Sequence, residues 1–365
     1  MKKTAVTAII GICIFICAGA ILWFFERKPG PIPVGIVCWM GSGAVVGSSE
    51  ISAAALFLEE HPDSRIQAVL VDDQWNPEKT PEVIAEAMSR GVQFFISSHP
   101  SNCAVASVHL FADSSALLIN AAATSSALSG REDYHLRIVA DAGQEQQAIA
   151  RFVRTLPGSR LLVLQDSGNL PYTDPAFVFF SEELGRQGAW QMVHRKLRVS
   201  AFDPKAFDTL MSEQFDALYI LAGSFQAPIA NIAQLFHHHH PDAPIVLTPW
   251  TRSPALLEMT GSAIERIILP SPYPSRFSDA AFDSYFRRFK NRFDYEPHSM
   301  TIGVWQALEL LDQAFAAGHH TPESAKKYLL SGQIHHTSLG TIRFDPYGDV
   351  TQKFYFLHDL KKELQ

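Results

Sequence analysis

The segment VGIVCWMGSG, residues 34–43, begins the folded part of the chain. Its first six residues form a short apolar run that ends at Gly41-Ser42-Gly43, which is typical of a buried strand followed by a tight loop. The next residues, Ser48 to Glu60, indicate a helix because apolar side chains recur at helical spacing. We therefore expect a strand, a loop of small residues and a helix as the first unit of the fold.

The same unit recurs outward along the chain. Further apolar runs, candidates for buried strands, lie at 66–71, 93–96, 116–119, 134–139, 160–165, 190–196, 217–221, 245–248 and 267–269. Because helical patterns separate them and the runs lack a period of two, they predict parallel sheets covered on both faces, in two tandem α/β units. The tail departs from this alternation: we expect helices near 279–293 and 300–317, then a hairpin that joins Gly340–Phe344 to Gln352–His358.

The N-terminal segment, residues 1–28, is predicted to be a membrane anchor or a signal segment. Thr4 to Phe25 carry no charge and follow Lys2 and Lys3, and as a helix they would be about 33 Å long, enough to cross the hydrocarbon layer. Cleavage after Ala20 would leave an apolar start to the mature protein, so we favour a retained transmembrane helix. Either form exports the rest of the chain, to the periplasm or another extracytoplasmic space.

Composition excludes some classes of partner and chemistry. The formal net charge is −7, and the mixed signs give no basic face for nucleic acid. Cys38 and Cys103 are too few for a disulfide framework, and whether they pair stays open. The chain has no GxSxG, HExxH, CxxC or P-loop motif, and the run His237 to His240 fits a helix C-terminus better than a metal site. We expect a protein that is not an enzyme and that needs no cofactor or metal.

Polar loops of small residues follow several predicted strands, at 97–102, 120–126 and 223–226. Ligands of parallel sheets gather at the carboxyl ends of strands, so these loops are candidates for a binding site. They are also good helix caps, and that alternative stays open.

Five motifs in one order resemble the type I periplasmic binding proteins of the leucine/isoleucine/valine and amide group, over Pro33 to His358. They are Val34-Gly35-Ile36-Val37 with its glycine loop, Val71-Asp72-Asp73 with Asn76-Pro77, Ser101-Asn102, Ile119 to Thr124, and Phe344 to Asp349. The resemblance implies an α/β fold of two lobes, each a parallel sheet flanked by helices, joined by three crossing segments. It assigns residues 33–141 plus 272–333 to lobe 1 and 142–271 plus 334–365 to lobe 2, with solute bound between them.

The resemblance also implies roles for individual residues. Ser101 or Asn102 would hold the ligand backbone, Ala122 and Thr124 its carboxylate, and Trp39 would lie at the first-loop aromatic position. On the second lobe the segment Asp166 to Tyr172 would close over the ligand, as would Ser224 and Phe225. For Trp39 and Phe225, core packing is an equally open alternative.

One departure from the family affects the ligand. Amino-acid binders of this group carry an acidic residue after the strand that corresponds to Ile245–Pro249, where it pairs with the ligand ammonium; this chain has Trp250-Thr251-Arg252. A free amino acid is therefore doubtful unless Asp166 or another carboxylate substitutes, and Arg252 would suit an anion.

These observations lead to one expected function and two alternatives. We expect a solute-binding protein that clamps a small polar solute, amino-acid-like or anionic, for the permease subunits of an ABC-type importer. The alternatives are a membrane-anchored ligand sensor that acts through a separate signalling partner, and a relative that has lost ligand binding.

Overall fold

The computed structural model describes residues 30–41, 45–186, 188, 190–224, 226–298 and 300–364. Its strands are β1 (Ile32–Cys38), β2 (Ile66–Asp72), β3 (Phe94–Ser97), β4 (Leu117–Asn120), β5 (His135–Arg137), β6 (Arg160–Asp166), β7 (Gln191–Leu197), β8 (Ala217–Leu221), β9 (Ile245–Val246), β10 (Ile267–Ser271), β11 (His335–Thr337), β12 (Gly340–Ile342) and β13 (Tyr355–Leu357). Its helices are α1 (Val45–Glu60), α2 (Lys79–Ser89), α3 (Ser101–Ser107), α4 (Ala142–Val153), α5 (Leu170–Gly185), α6 (Pro204–Met211), α7 (Ala227–His239), α8 (Pro254–Met259), α9 (Ala280–Phe293), α10 (Met300–Ala316), α11 (Pro322–Leu329) and α12 (Leu360–Glu363).

The predicted anchor, Thr4 to Phe25, lies outside the described residues. None of the helices that the structure does describe is both long enough and apolar enough to span a bilayer.

Each lobe is built on its own sheet. The first sheet has the order β2-β1-β3-β4-β5, and the second has the order β13-β10-β9-β8-β6-β7. Within each sheet the paired strands are parallel, except that β13 runs antiparallel to β10. Central strands such as β3 and β8 are buried along their whole length, as expected where helices cover both faces. The prediction of an α/β fold with two parallel sheets is confirmed.

The chain passes between the lobes three times, within 138–141, 272–279 and 351–354. After the second passage α9, α10 and α11 return to the first lobe, where Phe282, Trp305 and Leu329 share a core with Val34 of β1. The first and third passages are held together because Ala140 donates its N–H to Gln352 Oε1 (2.9 Å). Directly beside them, Gln144 of α4 donates its side-chain N–H to the Val350 carbonyl (3.0 Å). Two of the three segments that connect the lobes therefore lie side by side.

The segment after Ile334 differs from the prediction. We expected it to belong to lobe 2, but Leu339, Ile342 and Val350 are buried in the first core. Trp305 donates its indole N–H to Ser338 Oγ (2.9 Å), which ties this segment to α10. The chain joins the second sheet again only at β13.

The predicted hairpin across the turn at 345–349 is also corrected. A single antiparallel bridge, between Phe344 and Val350, spans that turn. The ladder pairs of the neighbouring strands lie elsewhere, β12 with β11 and β13 with β10. The reason is the third passage between lobes, which carries β13 away from β12 before it can pair.

Candidate functional site

A narrow, nearly closed cleft with a cavity volume of only about 20 Å³ lies between the two lobes, beyond the carboxyl ends of both sheets. Its lining comprises Trp75, Ser98, Pro100, Ser101, Ala122, Thr124, Asn169, Tyr172, Gly223, Trp250 and Met300. Most of these residues follow strands β2, β3, β4, β6, β8 or β9, which is where parallel sheets place their ligands. We call the residues from lobe 1 the first wall and those from lobe 2 the second wall.

Two hydroxyl groups of the first wall are free to donate. Ser101 Oγ accepts the backbone N–H groups of Thr124 and Ser125, each at 3.2 Å, so its own proton is left for another acceptor. The Thr124 hydroxyl has no hydrogen-bond partner among the described residues. The N–H of Ala122 differs, because it is already donated to Asn120 Oδ1 at 3.0 Å. A ligand acceptor at this wall would therefore meet two hydroxyl donors and not the Ala122 amide.

The paired aspartates after β2 hold the loop that carries Trp75, a residue of the first wall. Asp73 Oδ1 accepts the backbone N–H of Trp75 (3.0 Å), and Asp72 Oδ1 accepts that of Gln74 (3.1 Å). Gln74 and Trp75 both have a positive φ, 54° and 50°, a conformation that non-glycine residues adopt rarely and that these hydrogen bonds help to maintain. Trp75 Nε1 is buried and has no partner among the described residues, so it is a third unused donor at the cleft.

A buried carboxyl group, Glu50 of α1, lies behind the first wall. Its side chain is fully inaccessible, and Ser98, a lining residue, donates its hydroxyl to Glu50 Oε1. Oε2 is buried without a partner in the part of the chain that the structure describes. Burial raises the pKa of Glu50 to about 8 despite the hydrogen bond from Ser98, and nearby Asp73 adds to the rise. Glu50 is therefore mostly protonated at neutral pH.

The second wall is aromatic and is backed by Glu145 of α4. Tyr172 donates its hydroxyl to Glu145 Oε1 (2.5 Å), and Trp250 donates its indole N–H to Oε2 (2.8 Å). Both polar hydrogens thus point toward the carboxyl group. Asn169 completes this wall, and its Oδ1 is buried with no partner within the described segments.

Five of the predicted site residues line the cleft: Ser101, Ala122, Thr124, Tyr172 and Trp250. Phe225 lies outside the described residues. Ser224 is half-buried beside the lining residue Gly223 and is not itself in the lining. Trp39 is not in the lining, but it packs next to the lining residue Trp75, with 6.1 Å between the two ring centroids.

The structure does not bring Asn102, Asp166 or Arg252 to the cleft, and local hydrogen bonds give the reason. Asn102 Oδ1 accepts the N–H of Cys103 (3.0 Å). Asp166 accepts three hydrogen bonds within the second lobe, from the N–H groups of Gly168 and Val199 and the side-chain amide of Gln226, at 3.0 to 3.1 Å.

Arg252 points to a different cavity. Its guanidinium donates to the Glu363 carbonyl (3.1 Å) and lies 3.7 Å from the Glu363 carboxylate, and the cavity it lines is bounded by Glu296 and His298. The proposed anion contact from Arg252 is therefore not supported by its position.

Six lining residues were not identified from the sequence: Trp75, Ser98, Pro100, Asn169, Gly223 and Met300. Ser98 and Pro100 lie in the polar loop after β3, Asn169 lies in the segment expected to close over the ligand, and Gly223 precedes Ser224. Trp75 lies inside one of the five motifs, between Asp73 and Asn76, and that motif was the available signal. Met300 has none, since it comes from the start of a helix remote in sequence.

Metal and disulfide chemistry find no support in the described residues. No group of three or more His, Cys, Asp or Glu side chains there could hold a metal ion. In the histidine run, His239 contacts Asp208 (2.9 Å) and His240 contacts the Met211 carbonyl (2.8 Å). Cys38 and Cys103 are both buried free thiols.

Comparison with known proteins agrees with this architecture. The sequence matches the periplasmic binding protein family over residues 31–361. No curated protein matches the chain. The match to the family covers nearly the whole folded part, well over half of the chain.

Solved structures share the fold at low identity. A solute-binding protein of an ABC transporter from Rhodopseudomonas palustris BisB5, in complex with 3,4-dihydroxybenzoic acid, has a TM-score of 0.78 and 20% identity and covers 89% of this chain and 92% of its own. A leucine-binding protein from Thermotoga maritima MSB8 has a TM-score of 0.78 and 20% identity, with coverage of 89% and 94%. A branched-chain amino acid binding protein from Streptococcus pneumoniae, in complex with isoleucine, has a TM-score of 0.76 and 17% identity, with coverage of 90% and 95%. The two-lobed fold, the cleft and the sequence match together show that this chain belongs to the periplasmic binding protein family.

Proposed function

We propose that the protein is an extracytoplasmic solute-binding protein whose ligand is a small carboxylate with an apolar body and no ammonium group. The observation that supports this most directly is that the cleft combines uncharged walls with unused hydrogen-bond donors. None of the lining residues among the described positions carries a charge, whereas three of them present unused hydrogen-bond donors. A ligand that supplies oxygen acceptors and needs no carboxylate partner fits these donors best.

The donors cluster on the first wall. The hydroxyls of Ser101 and Thr124 and the indole N–H of Trp75 can each donate to a ligand oxygen. Hydrogen bonds to an ionised oxygen are about twice as strong as neutral ones, so a carboxylate uses such donors better than an amide would. The apolar part of the ligand would then lie against the rings of Tyr172 and Trp250.

An ammonium group would find no ionised partner among the described lining residues, since the unused Oδ1 of Asn169 is an uncharged acceptor. Asp166 and Glu145 do not line the cleft, and each already accepts three hydrogen bonds within the second lobe. Glu50 lies behind Ser98, and its raised pKa keeps it mostly neutral at pH 7. Because a buried cation needs an ionised partner, a free amino acid would bind weakly.

The relatives of known structure are compatible with either ligand type. The complex with 3,4-dihydroxybenzoic acid has a carboxylate on an aromatic ring, whereas the complex with isoleucine has a carboxylate beside an ammonium group. The aromatic second wall favours the first type for this chain, as does the lack of an acidic side chain among the described lining residues.

A matched pair of ligands tests the proposal. Leucine and 4-methylpentanoate share a carbon skeleton and a carboxylate and differ only in the ammonium group. Titration calorimetry on the full-length protein in detergent is expected to show at least tenfold tighter binding of 4-methylpentanoate or of benzoate than of leucine. Tighter binding of leucine would contradict the proposal, and 4-methylpentanamide serves as the uncharged control.

The partner follows from the family and the N-terminal segment. We expect the loaded clamp to deliver its solute to permease subunits of an ABC-type importer while Thr4 to Phe25 hold it at the membrane. An anchored clamp also suits a sensor that acts through a separate signalling protein, since the anchor restricts diffusion. Co-purification of the full-length protein from membranes, with and without 4-methylpentanoate, separates the two: permease subunits in the eluate support transport, and a signalling protein in their place supports sensing.

A further inference from the structure

Glu145 is a buried carboxyl group whose position no feature of the sequence signalled. It lies in the first turn of α4, its side chain is fully inaccessible, and it does not itself line the cleft. It nevertheless contacts both aromatic side chains of the second wall, which come from α5 and from the loop after β9. Two aromatic side chains from separate elements are thus hydrogen-bonded to one carboxyl group.

Three donors converge on this carboxyl group. Besides Tyr172 and Trp250, Gln146 donates its side-chain N–H to Oε1 at 2.8 Å. Gln146 is itself oriented by Tyr219, whose hydroxyl donates to Gln146 Oε1 at 2.7 Å. A carboxylate can accept all three hydrogen bonds, but a protonated carboxyl would set its own hydrogen against one of these donors. The arrangement therefore fits an acceptor with no proton.

We propose that Glu145 is a positioning residue, which fixes Tyr172 and Trp250 as one rigid wall and directs their polar hydrogens away from the ligand. The inference rests on the proposed function for the identity of the ligand, but the ring geometry can be tested without any ligand. The wall then offers the ligand ring carbons in place of a hydroxyl and an indole N–H. It selects an apolar ligand body and disfavours one with a polar group at that end.

The same contacts make the wall sensitive to pH. Burial raises the pKa of Glu145 to about 7, although the hydrogen bonds from Tyr172, Gln146 and Trp250 each lower it. The titratable groups that face it are Asp141 at the N-cap of its own helix, Tyr172 of α5 and Tyr219 of β8. Both tyrosines have a pKa raised well above its ordinary value, so they stay neutral while Glu145 titrates.

Near-ultraviolet circular dichroism of the ligand-free, full-length protein tests the positioning role. The wild-type aromatic spectrum is expected to change between pH 5.5 and 9 with a midpoint near 7, and Trp250→Phe should remove this change and so assign it. Glu145→Gln, which cannot be ionised, should differ from the wild type at pH 8 and should not titrate. A Glu145→Gln spectrum that overlays the wild-type spectrum throughout overturns the proposal.

Two further variants keep the test decisive if Glu145→Gln folds poorly. Tyr172→Phe removes one of the three donors and is expected to raise the midpoint by about half a pH unit or more. Glu50→Gln is the matched control, a change at the other buried carboxyl group, and should leave the Trp250 transition in place. An unchanged midpoint in Tyr172→Phe counts against the role of Glu145.

Binding of 4-methylpentanoate, which does not absorb in this region, supplies the second readout. Wild-type affinity is expected to rise about threefold or more from pH 6 to pH 8 as the wall becomes fully hydrogen-bonded, and Glu145→Gln should bind more weakly at pH 8 without that rise. If the wild type binds no 4-methylpentanoate, the proposed ligand class fails while the spectra still decide the role of Glu145.

Discussion

The two walls of the cleft are each backed by one fully buried carboxyl group, but the two groups differ in how many partners they have. Glu50 receives one hydroxyl, from Ser98, and its second oxygen has no partner among the described residues. Glu145 receives three donors, from Tyr172, Trp250 and Gln146. The pKa is raised in both, to about 8 for Glu50 and to about 7 for Glu145.

The difference shows that the two walls use their hydrogen-bond donors in different ways. Desolvation acts on both carboxyl groups, and the additional donors around Glu145 offset more of it. On the second wall those donors are used internally, which leaves ring surface for the ligand. On the first wall the hydroxyls of Ser101 and Thr124 are not used by any carboxyl group and remain available. Under the proposed function, one wall therefore supplies hydrogen bonds to the ligand and the other supplies ring surface.

Replacement of each buried carboxyl group by leucine tests this contrast most strongly. Glu145→Leu leaves three donors without an acceptor and should lower the free energy of unfolding by about 3 kcal/mol or more, at about 1 kcal/mol or more for each unpaired group. Glu50→Leu leaves only the Ser98 hydroxyl, which can turn toward the cleft, and should cost about 1 kcal/mol. Urea denaturation at pH 7 measures both, and equal losses would show that the partners make no difference.

Hydroxyl removal separates the walls by their effect on affinity. Thr124→Ala removes a donor that faces the ligand and should weaken binding of 4-methylpentanoate by about 1–3 kcal/mol. Tyr172→Phe removes a hydroxyl that points to Glu145 and should change affinity by less than about 0.5 kcal/mol at pH 8. Calorimetric titration of both variants decides the matter, and a larger loss in Tyr172→Phe would place its hydroxyl on the ligand.

The pH dependence of stability sharpens the contrast further. A carboxyl group with a raised pKa in the folded state keeps its proton to a higher pH than it does in the unfolded chain. Its stabilising contribution to the free energy of unfolding is therefore complete below about pH 4.5 and is lost as pH rises through the folded pKa. Between pH 6.5 and 8 we expect wild-type stability to fall by at most ~1.4 kcal/mol per pH unit for each group.

Comparison of two glutamine variants shows how much of this fall in stability with pH each carboxyl group contributes. Glu50, with a pKa near 8, should contribute more of it than Glu145, with a pKa near 7, so Glu50→Gln should flatten the curve more than Glu145→Gln. Buried His135 and His298, whose pKa values burial lowers to about 3 and about 4, are neutral in the folded protein but partly protonated in the unfolded chain near pH 6.5. They add a rise of stability with pH that is the same in the wild type and in both variants, so it cancels in the comparison. Denaturant midpoints at pH 6.5 and 8 supply the data; a steeper remaining slope in Glu50→Gln would reverse the assignment.

Arg252 provides the smallest expected effect on binding. Its guanidinium is engaged by Glu363 in a cavity separate from the cleft, so Arg252→Gln should leave the affinity for 4-methylpentanoate unchanged, even if stability falls. Calorimetry on this variant beside Thr124→Ala compares a residue outside the lining with one inside it. A marked loss of affinity in Arg252→Gln would bring the guanidinium back to the ligand.

The lining of the candidate site could be predicted from the sequence where the lining residue follows a strand that periodicity identifies. Ser101, Ala122 and Thr124 lie in loops directly after β3 and β4, and the family motif names them. The same rule wrongly placed Asp166 in the cleft, because a carboxylate at the end of a strand can accept hydrogen bonds either from a ligand or from the N–H groups of its own loop. Only the positions of Gly168 and Val199 show that the second use prevails here.

The sequence by itself determined the fold class, the two tandem sheets and the family, because strand burial and helix periodicity are local patterns that the order of residues records. The tertiary structure alone decided that the segment after Ile334 packs on the first core and that Glu145 and Glu50 stand behind opposite walls. The physical reason is distance along the chain. Trp250 is separated from Glu145 by 105 residues and Glu50 from Ser98 by 48, so no local pattern records these hydrogen bonds, which form only when the sheets bring the elements together.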